Sequence, residues 1–128
     1  MRLDEIGDVV MTTPFLRELR RNLPGAWITL AVKPSLFNLV ELCPYVNEVL
    51  TYEKELQKSV AFALLRHHWR DIKSAVAFSR KQPYDLAIVP RWDTDYYNAS
   101  YLAYFSGAPW RIGYSESVTE CKAILVEG

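Results

Sequence analysis

A carboxylate that directly follows a glycine near the start of the chain is the side chain best placed to do chemistry. Asp8 comes after Gly7 and precedes a helical pattern. A glycine lets the backbone turn sharply or lets a ligand approach closely. The first turn of a helix presents unpaired N–H groups and the positive end of the helix dipole. The arrangement therefore predicts a place where an anionic ligand is held beside a base, with Asp8 as that base.

Each candidate residue around Asp8 also has a purely structural interpretation. An acid at the start of a helix caps the free N–H groups there, so Asp8 fits a cap as well as a base. Gly7 fits either close passage of the loop by a ligand or an ordinary turn. Thr12 and Thr13 either donate hydrogen bonds to a ligand or cap the helix locally. The residue types alone leave these alternatives open.

Three further side chains are candidates for binding a ligand. Arg2 stands at the end of a strand and pairs either with a phosphate or carboxylate of a ligand or, at the surface, with Asp4 or Glu5. Arg91 and Trp92 follow a buried strand, and open α/β sheets bind ligands at the carboxyl ends of their strands. Arg91 is a candidate anion contact and Trp92 a candidate stacking surface, but residues at such positions do not always carry function.

The composition excludes several classes of function. The chain has 128 residues, half of them apolar, and its 15 basic and 15 acidic residues give no net charge. That balance argues against broad nucleic-acid binding. Cys43 and Cys121 have no spacing typical of a metal site or a disulfide scaffold, so we expect neither a metal nor a disulfide. The chain shows no signal-peptide pattern and no run long enough to span a membrane, which predicts a cytoplasmic protein.

Apolar periodicity predicts alternating strands and helices. An apolar stripe through Val9, Leu16, Leu19 and Leu23 indicates the first helix, with Arg17, Arg20 and Arg21 on its opposite face. Turn residues and short apolar runs divide the rest of the chain. The predicted helices cover 9–23, 34–42, 53–81 and 94–105, and the predicted strands cover 26–32, 47–52, 85–90 and 110–114. This order is typical of an α/β layer with a parallel sheet.

Three segments resemble one known enzyme family. They are RLDEIGDVVMTTP at Arg2 to Pro14, PGAWITLAV at Pro24 to Val32, and GAPWRIGY at Gly107 to Tyr114, with Tyr84 to Ile88 as a further match. In this order and spacing they are similar to the N-terminal domain of glycosyltransferase family 9, the heptosyltransferase family. The resemblance spans nearly the whole chain.

The resemblance implies an architecture. Residues 1–128 would form a Rossmann-like parallel sheet flanked by helices, the N-terminal, acceptor-side half of a GT-B glycosyltransferase. The first strand would be largely missing, and the C-terminal donor-binding domain would be absent. We expect such a piece, truncated at both ends, to be inactive and poorly stable by itself.

The resemblance also implies an activity. The family contains inverting transferases that move heptose from ADP-heptose to the core of lipopolysaccharide, at the cytoplasmic face of the inner membrane. Asp8 matches the family's proposed base. The acceptor would then contact the other candidate residues: Arg2, Gly7, Thr12, Thr13, Arg91 and Trp92. The expected partners are a nucleotide-sugar, a lipopolysaccharide-core or related glycolipid acceptor, and the membrane surface through peripheral contact, without nucleic acid. No cofactor is expected besides the nucleotide-sugar, which the missing half would bind.

Two other functions compete with this interpretation. One is a noncatalytic α/β interaction domain or a degraded transferase half, which the sequence alone leaves open. The other is a nucleotide-binding Rossmann enzyme, which requires a G-x-G-x-x-G turn after its first strand. The chain has only Gly7 at that turn, so we discount the second alternative.

Overall fold

The computed structural model describes residues 1–3, 5–52, 83–91 and 99–114. The chain divides into two compact units, Met1–Glu53 and Lys54–Gly128. Each unit contains one two-stranded parallel sheet among its described residues. The expectation that residues 1–128 form one domain stays a prediction.

The first unit begins with the helix α1, Ile6–Asn22. Its buried residues Val9, Thr12 and Leu16 recur at steps of three and four and so lie on one face. The periodicity predicts a start at Val9, but the helix starts earlier because Glu5 and Asp8 form a capping box at its N-terminus. Pro14 lies inside the helix, where its missing N–H removes one backbone bond. Neither Thr12 nor Thr13 is the cap.

A parallel sheet of β1, Thr29–Val32, and β2, Glu48–Thr51, packs beside this helix. The connection between the strands contains a 3₁₀ turn, Pro34–Leu36, and the short helix α2, Phe37–Val40. Buried apolar side chains from α1, β1 and the connection form one core cluster: Val9, Leu16, Leu30, Val32, Leu36 and Val40. The core therefore fixes the helix against the face of the sheet.

The residues before α1 lie along the free edge of β1. The Val32 carbonyl accepts a bond from the Tyr52 N–H on the β2 side, at 2.9 Å. Carbonyls of successive strand residues point to opposite edges, so the Ala31 carbonyl faces away from β2. There it accepts the Arg2 N–H at 2.9 Å, and Leu3 beside it is buried. The chain thus passes from the edge of β1 directly into α1.

Arg20 joins the end of α1 to the turn and to the loop before β2. Its guanidinium donates to four oxygens: the carbonyls of Tyr45 (3.3 Å), Pro24 (3.1 Å) and Ala26 (2.8 Å) and the Asn47 side chain (2.5 Å). The amide oxygen of Asn47 also accepts the Ile28 N–H at 2.9 Å. The helical pattern predicts a solvent-facing Arg20. Its guanidinium instead donates to three backbone carbonyls in the connecting segments and to one side-chain amide.

The second unit contains β3, Leu86–Val89, in parallel register with β4, Trp110–Gly113. The helix α3, Ala99–Phe105, lies between the two strands in sequence and buries Leu102 and Ala103. Gly107 follows the helix with φ at 76°, a conformation that glycine adopts without strain. The Arg111 guanidinium lies 5.0 Å from the centre of the Tyr104 ring, a cation–π contact.

The predicted α/β class is confirmed, with four short strands inside the predicted segments. The helix predicted over 53–81 and the first residues of the one predicted over 94–105 lie outside the described residues. No described helix has both the length and the apolar character needed to cross a membrane.

Replacing Arg20 tests the connection at the end of α1. We expect Arg20→Met to lower the free energy of unfolding by about 2–3 kcal/mol, because several carbonyls lose a charged donor. Arg17→Met is the matched control: within the described part of the chain Arg17 pairs with its exposed neighbour Glu18, and its loss should change stability by less than about 0.5 kcal/mol. Urea unfolding followed by circular dichroism measures both. Equal effects of the two substitutions would contradict the structural role of Arg20.

Candidate active site

The Asp8 carboxylate is held at both of its oxygens. Its Oδ1 lies 3.1 Å from Nη2 of Arg2, and its Oδ2 accepts the backbone N–H of Glu5 at 3.3 Å. The side chain of Asp8 nevertheless stays 45% exposed. The carboxylate therefore has a contact at each oxygen and is still accessible to solvent.

Arg2 is the nearly buried partner of this carboxylate, with a side chain only 12% exposed. The sequence offers Asp4 and Glu5 as its local alternatives. Asp4 lies outside the described residues, and the Glu5 carboxylate contacts Lys33 instead. The bond from the Arg2 N–H to Ala31 fixes the backbone that carries the guanidinium. Arg2 thus brings a positive charge to the base of the site, and its predicted contact with an acceptor stays a prediction.

Glu5 and Lys33 belong to the site, although the sequence pattern did not single them out. Lys33 Nζ lies 2.7 Å from Glu5 Oε1, across 28 positions of sequence. The Lys33 side chain is 20% exposed and that of Glu5 is 74% exposed. Lys33 follows β1 directly, so its proximity to the start of α1 depends on the packing of helix on sheet. No local spacing rule reports such a pair.

Gly7 and the two threonines lie on α1 at different depths. Gly7 is in the first turn of the helix rather than in a loop turn, and an added Cβ there would meet no atom within 4 Å. Packing within the described residues therefore does not require a glycine. Thr12 is buried, and its hydroxyl donates to the Asp8 carbonyl at 2.8 Å. Thr13 is exposed. Acceptor binding by these three residues stays a prediction.

The remaining predicted residues belong to the second unit. Arg91 follows Pro90 at the carboxyl end of β3, and its N–H donates to the Val89 carbonyl at 2.8 Å. Trp92 lies outside the described residues. The predicted anion contact and sugar stacking therefore stay predictions.

The arrangement suits proton transfer at Asp8. A carboxylate oxygen has two lone pairs, and each oxygen of Asp8 uses one toward Arg2 or Glu5 among the described residues. One lone pair on each oxygen remains for a substrate hydroxyl. The site lies where β1 ends and α1 begins, the edge at which open α/β sheets bind ligands. Within the described ranges, no group of three or more His, Cys, Asp or Glu side chains is placed to hold a metal.

These features define a mixed α/β protein with parallel strands and an exposed carboxylate in the first turn of a helix. The chain is similar to the crystal structure of the glycosyl transferase family 9 from Veillonella parvula DSM 2008. The TM-score is 0.70 at 27% sequence identity, over 85% of this chain and 29% of that chain. The predicted resemblance to glycosyltransferase family 9 is confirmed. The chain spans less than a third of this solved relative.

Two other comparisons give no match. No protein-family model matches the sequence, and no curated protein matches it. The structural similarity and the residues of the motifs therefore support the functional argument together.

Removing the Arg2 side chain tests the ion pair at the base of the site. We expect Arg2→Met to lower the free energy of unfolding by about 1–3 kcal/mol, because Oδ1 of Asp8 loses its charged hydrogen-bond donor. Arg21→Met is the matched control: Arg21 pairs with Glu18 at 3.7 Å in an exposed position, where the pair contributes below about 0.5 kcal/mol.

A double-mutant cycle that combines Arg2→Met with Asp8→Asn gives the coupling free energy between the two side chains, measured by urea unfolding at neutral pH. A coupling free energy near zero would contradict the ion pair between Arg2 and Asp8.

Proposed function

We propose that this chain is the acceptor-side part of an inverting glycosyltransferase in which Asp8 is the catalytic base. The observation that supports this best is the carboxylate itself, which is fixed at both oxygens yet open to solvent. A general base must have a defined orientation and a lone pair within reach of the proton it removes. The similarity to the family 9 structure from Veillonella parvula supports the same reaction class.

The proposed step is a single displacement. The acceptor hydroxyl oxygen attacks the anomeric carbon of the donor sugar from the face opposite the nucleotide, and its proton passes to an Asp8 oxygen. The new glycosidic C–O bond forms as the bond to the nucleotide breaks, and the nucleotide leaves with the electron pair. Asp8 then returns the proton to solvent. Positioning and proton transfer are the contributions of this chain to the barrier.

We propose heptose as the sugar, ADP-heptose as its donor, and a lipopolysaccharide-core or related glycolipid as the acceptor. The motif resemblance supports these identities. The nucleotide-sugar would bind mainly to sequence outside this chain, without a further cofactor. Acceptor contacts are assigned to six residues: Arg2, Gly7, Thr12, Thr13, Arg91 and Trp92. With these substrates, we propose that the enzyme acts in the cytoplasm and makes peripheral contact with the inner membrane.

A noncatalytic α/β interaction domain, or a degraded transferase half, is the competing proposal. Asp8 completes a capping box and pairs with Arg2, so folding alone already accounts for its carboxylate. The two proposals differ in the effect of replacing the Asp8 carboxylate by a group of the same shape that is not a base. The rate of transfer should fall if Asp8 is the base and stay unchanged if Asp8 is only structural.

Asp8→Asn makes that distinction, because the amide keeps an acceptor oxygen for the Glu5 N–H but is not a base. With protein expressed from the complete reading frame, we expect transfer to fall by about 10²–10⁴-fold while ADP-heptose binding persists. The assay follows ADP release from ADP-heptose with heptose-deficient lipopolysaccharide as acceptor, and calorimetry measures donor binding. Glu18→Gln is the matched control, since Glu18 is a carboxylate on the same helix that pairs with Arg17 and Arg21.

Two outcomes would count against the proposal. Turnover by Asp8→Asn close to the unsubstituted rate would remove Asp8 as the base. An unsubstituted protein that neither binds ADP-heptose nor releases ADP would favour the noncatalytic alternative.

A further inference from the structure

We propose that Lys33 and Glu5 are positioning residues that hold the Asp8 carboxylate in its reactive orientation from the end of β1. The inference rests on the proposed role of Asp8 as the base. Its observation is the chain of contacts that runs from Lys33 Nζ to Glu5 Oε1 at 2.7 Å and from the Glu5 N–H to Asp8 Oδ2 at 3.3 Å. Neither residue need touch the substrate for this role.

The first step of the argument is that Asp8 requires two points of attachment. An aspartate side chain rotates about χ1 and χ2, and χ2 is broad because it joins sp³ and sp² carbons. With the Arg2 contact at Oδ1 alone, the Asp8 carboxylate could still rotate about that contact. A second contact at Oδ2 removes this freedom, and the Glu5 N–H supplies it.

The second step is that the Glu5 N–H needs its own anchor. Glu5 is the residue before α1, with extended backbone (φ −82°, ψ 168°), and its side chain is largely exposed. Helix ends fray unless side chains tie them down. The capping box ties Glu5 to Asp8, and the Glu5 carbonyl accepts the Val9 N–H at 3.2 Å, so both contacts are to α1, the element that carries Asp8. Lys33 ties Glu5 to a different element.

The third step is that both attachments of Asp8 lead back to the same strand. Arg2 is bonded through its N–H to Ala31, within β1. Glu5 is bonded through its carboxylate to Lys33, the residue after β1 ends. Val32 between them is fully buried in the core. The carboxyl end of β1 is therefore a common, rigid support for the two oxygens of the proposed base.

The pair should affect catalysis more than stability. An ion pair with one partner so exposed contributes little to folding, because solvent screens it. A small misplacement of a catalytic group, by contrast, costs up to about 10²-fold in rate. If the pair were only structural, breaking it would lower stability slightly and leave the rate of transfer unchanged.

Lys33→Met tests the inference, because methionine keeps an unbranched stem and removes the charge. With protein expressed from the complete reading frame, ADP-heptose and heptose-deficient lipopolysaccharide, we expect kcat to fall by about 10-fold and the acceptor KM to stay within about twofold. Lys33→Arg, which also reaches Glu5 with a positive charge, should recover most of kcat. Glu5→Gln tests the same contact from the other side and should resemble Lys33→Met.

A second readout needs no turnover. The three-bond Hα–Hβ couplings of Asp8, measured by NMR in protein expressed from the complete reading frame, report its χ1 distribution. We expect one staggered conformer in the unsubstituted chain and averaged couplings in Lys33→Met and Glu5→Gln. Arg21→Met breaks an exposed pair on the same helix, away from Asp8, and should change neither the couplings nor kcat.

The two readouts separate the failure of each proposal. If the unsubstituted protein shows no transfer, the proposed function fails, and the couplings still decide whether Lys33 and Glu5 fix Asp8. If transfer occurs but Lys33→Met leaves both kcat and the Asp8 couplings unchanged, the positioning role is wrong. A fall in kcat that Lys33→Arg does not recover would also overturn it.

Discussion

The ion pair between Arg2 and Asp8 is the interaction on which the arrangement of the first unit depends. Arg2 is joined to β1 by its backbone and to α1 by its side chain, so this residue links the two elements where they meet. Its side chain is nearly buried, and a buried charge is stable only beside a partner. The first turn of α1 supplies that partner. The pair therefore joins the first turn of α1 to β1 and orients the Asp8 carboxylate.

The parallel arrangement of the strands explains why the polar groups collect at one edge. Parallel strands end at the same edge of their sheet, and each chain segment leaves there into a helix or loop. Lys33 leaves β1 at this edge, and the chain that lies along β1 enters α1 there through Glu5. Charged residues distant in sequence thus meet without burial of an unpaired charge. The same geometry leaves Asp8 open on its solvent side.

The arginines of the first unit show how environment assigns roles to one side-chain type. Arg20 joins α1 to the turn that follows it and to the loop before β2 through four oxygens, whereas Arg17 and Arg21 share the exposed carboxylate of Glu18. Arg2 supports the proposed base. Guanidinium groups suit the buried roles because they stay charged and present several donors in a fixed plane. Arg20 and Arg21 are neighbours in sequence, but they point about 100° apart around α1 and so meet different partners.

Local pattern predicted α1 and the short strands of the described residues, because apolar periodicity reports which faces are buried. The motif at Arg2 to Pro14 predicted Asp8 as the base, and that role stays a prediction. The start of α1 depends on the local capping box of Glu5 and Asp8, which apolar periodicity does not report. The partner of Arg2 was decided by the tertiary structure, and so was the contact between Glu5 and Lys33 across 28 positions of sequence. Periodicity within one element carries no information about that distance, whereas the packing of α1 on β1 fixes it.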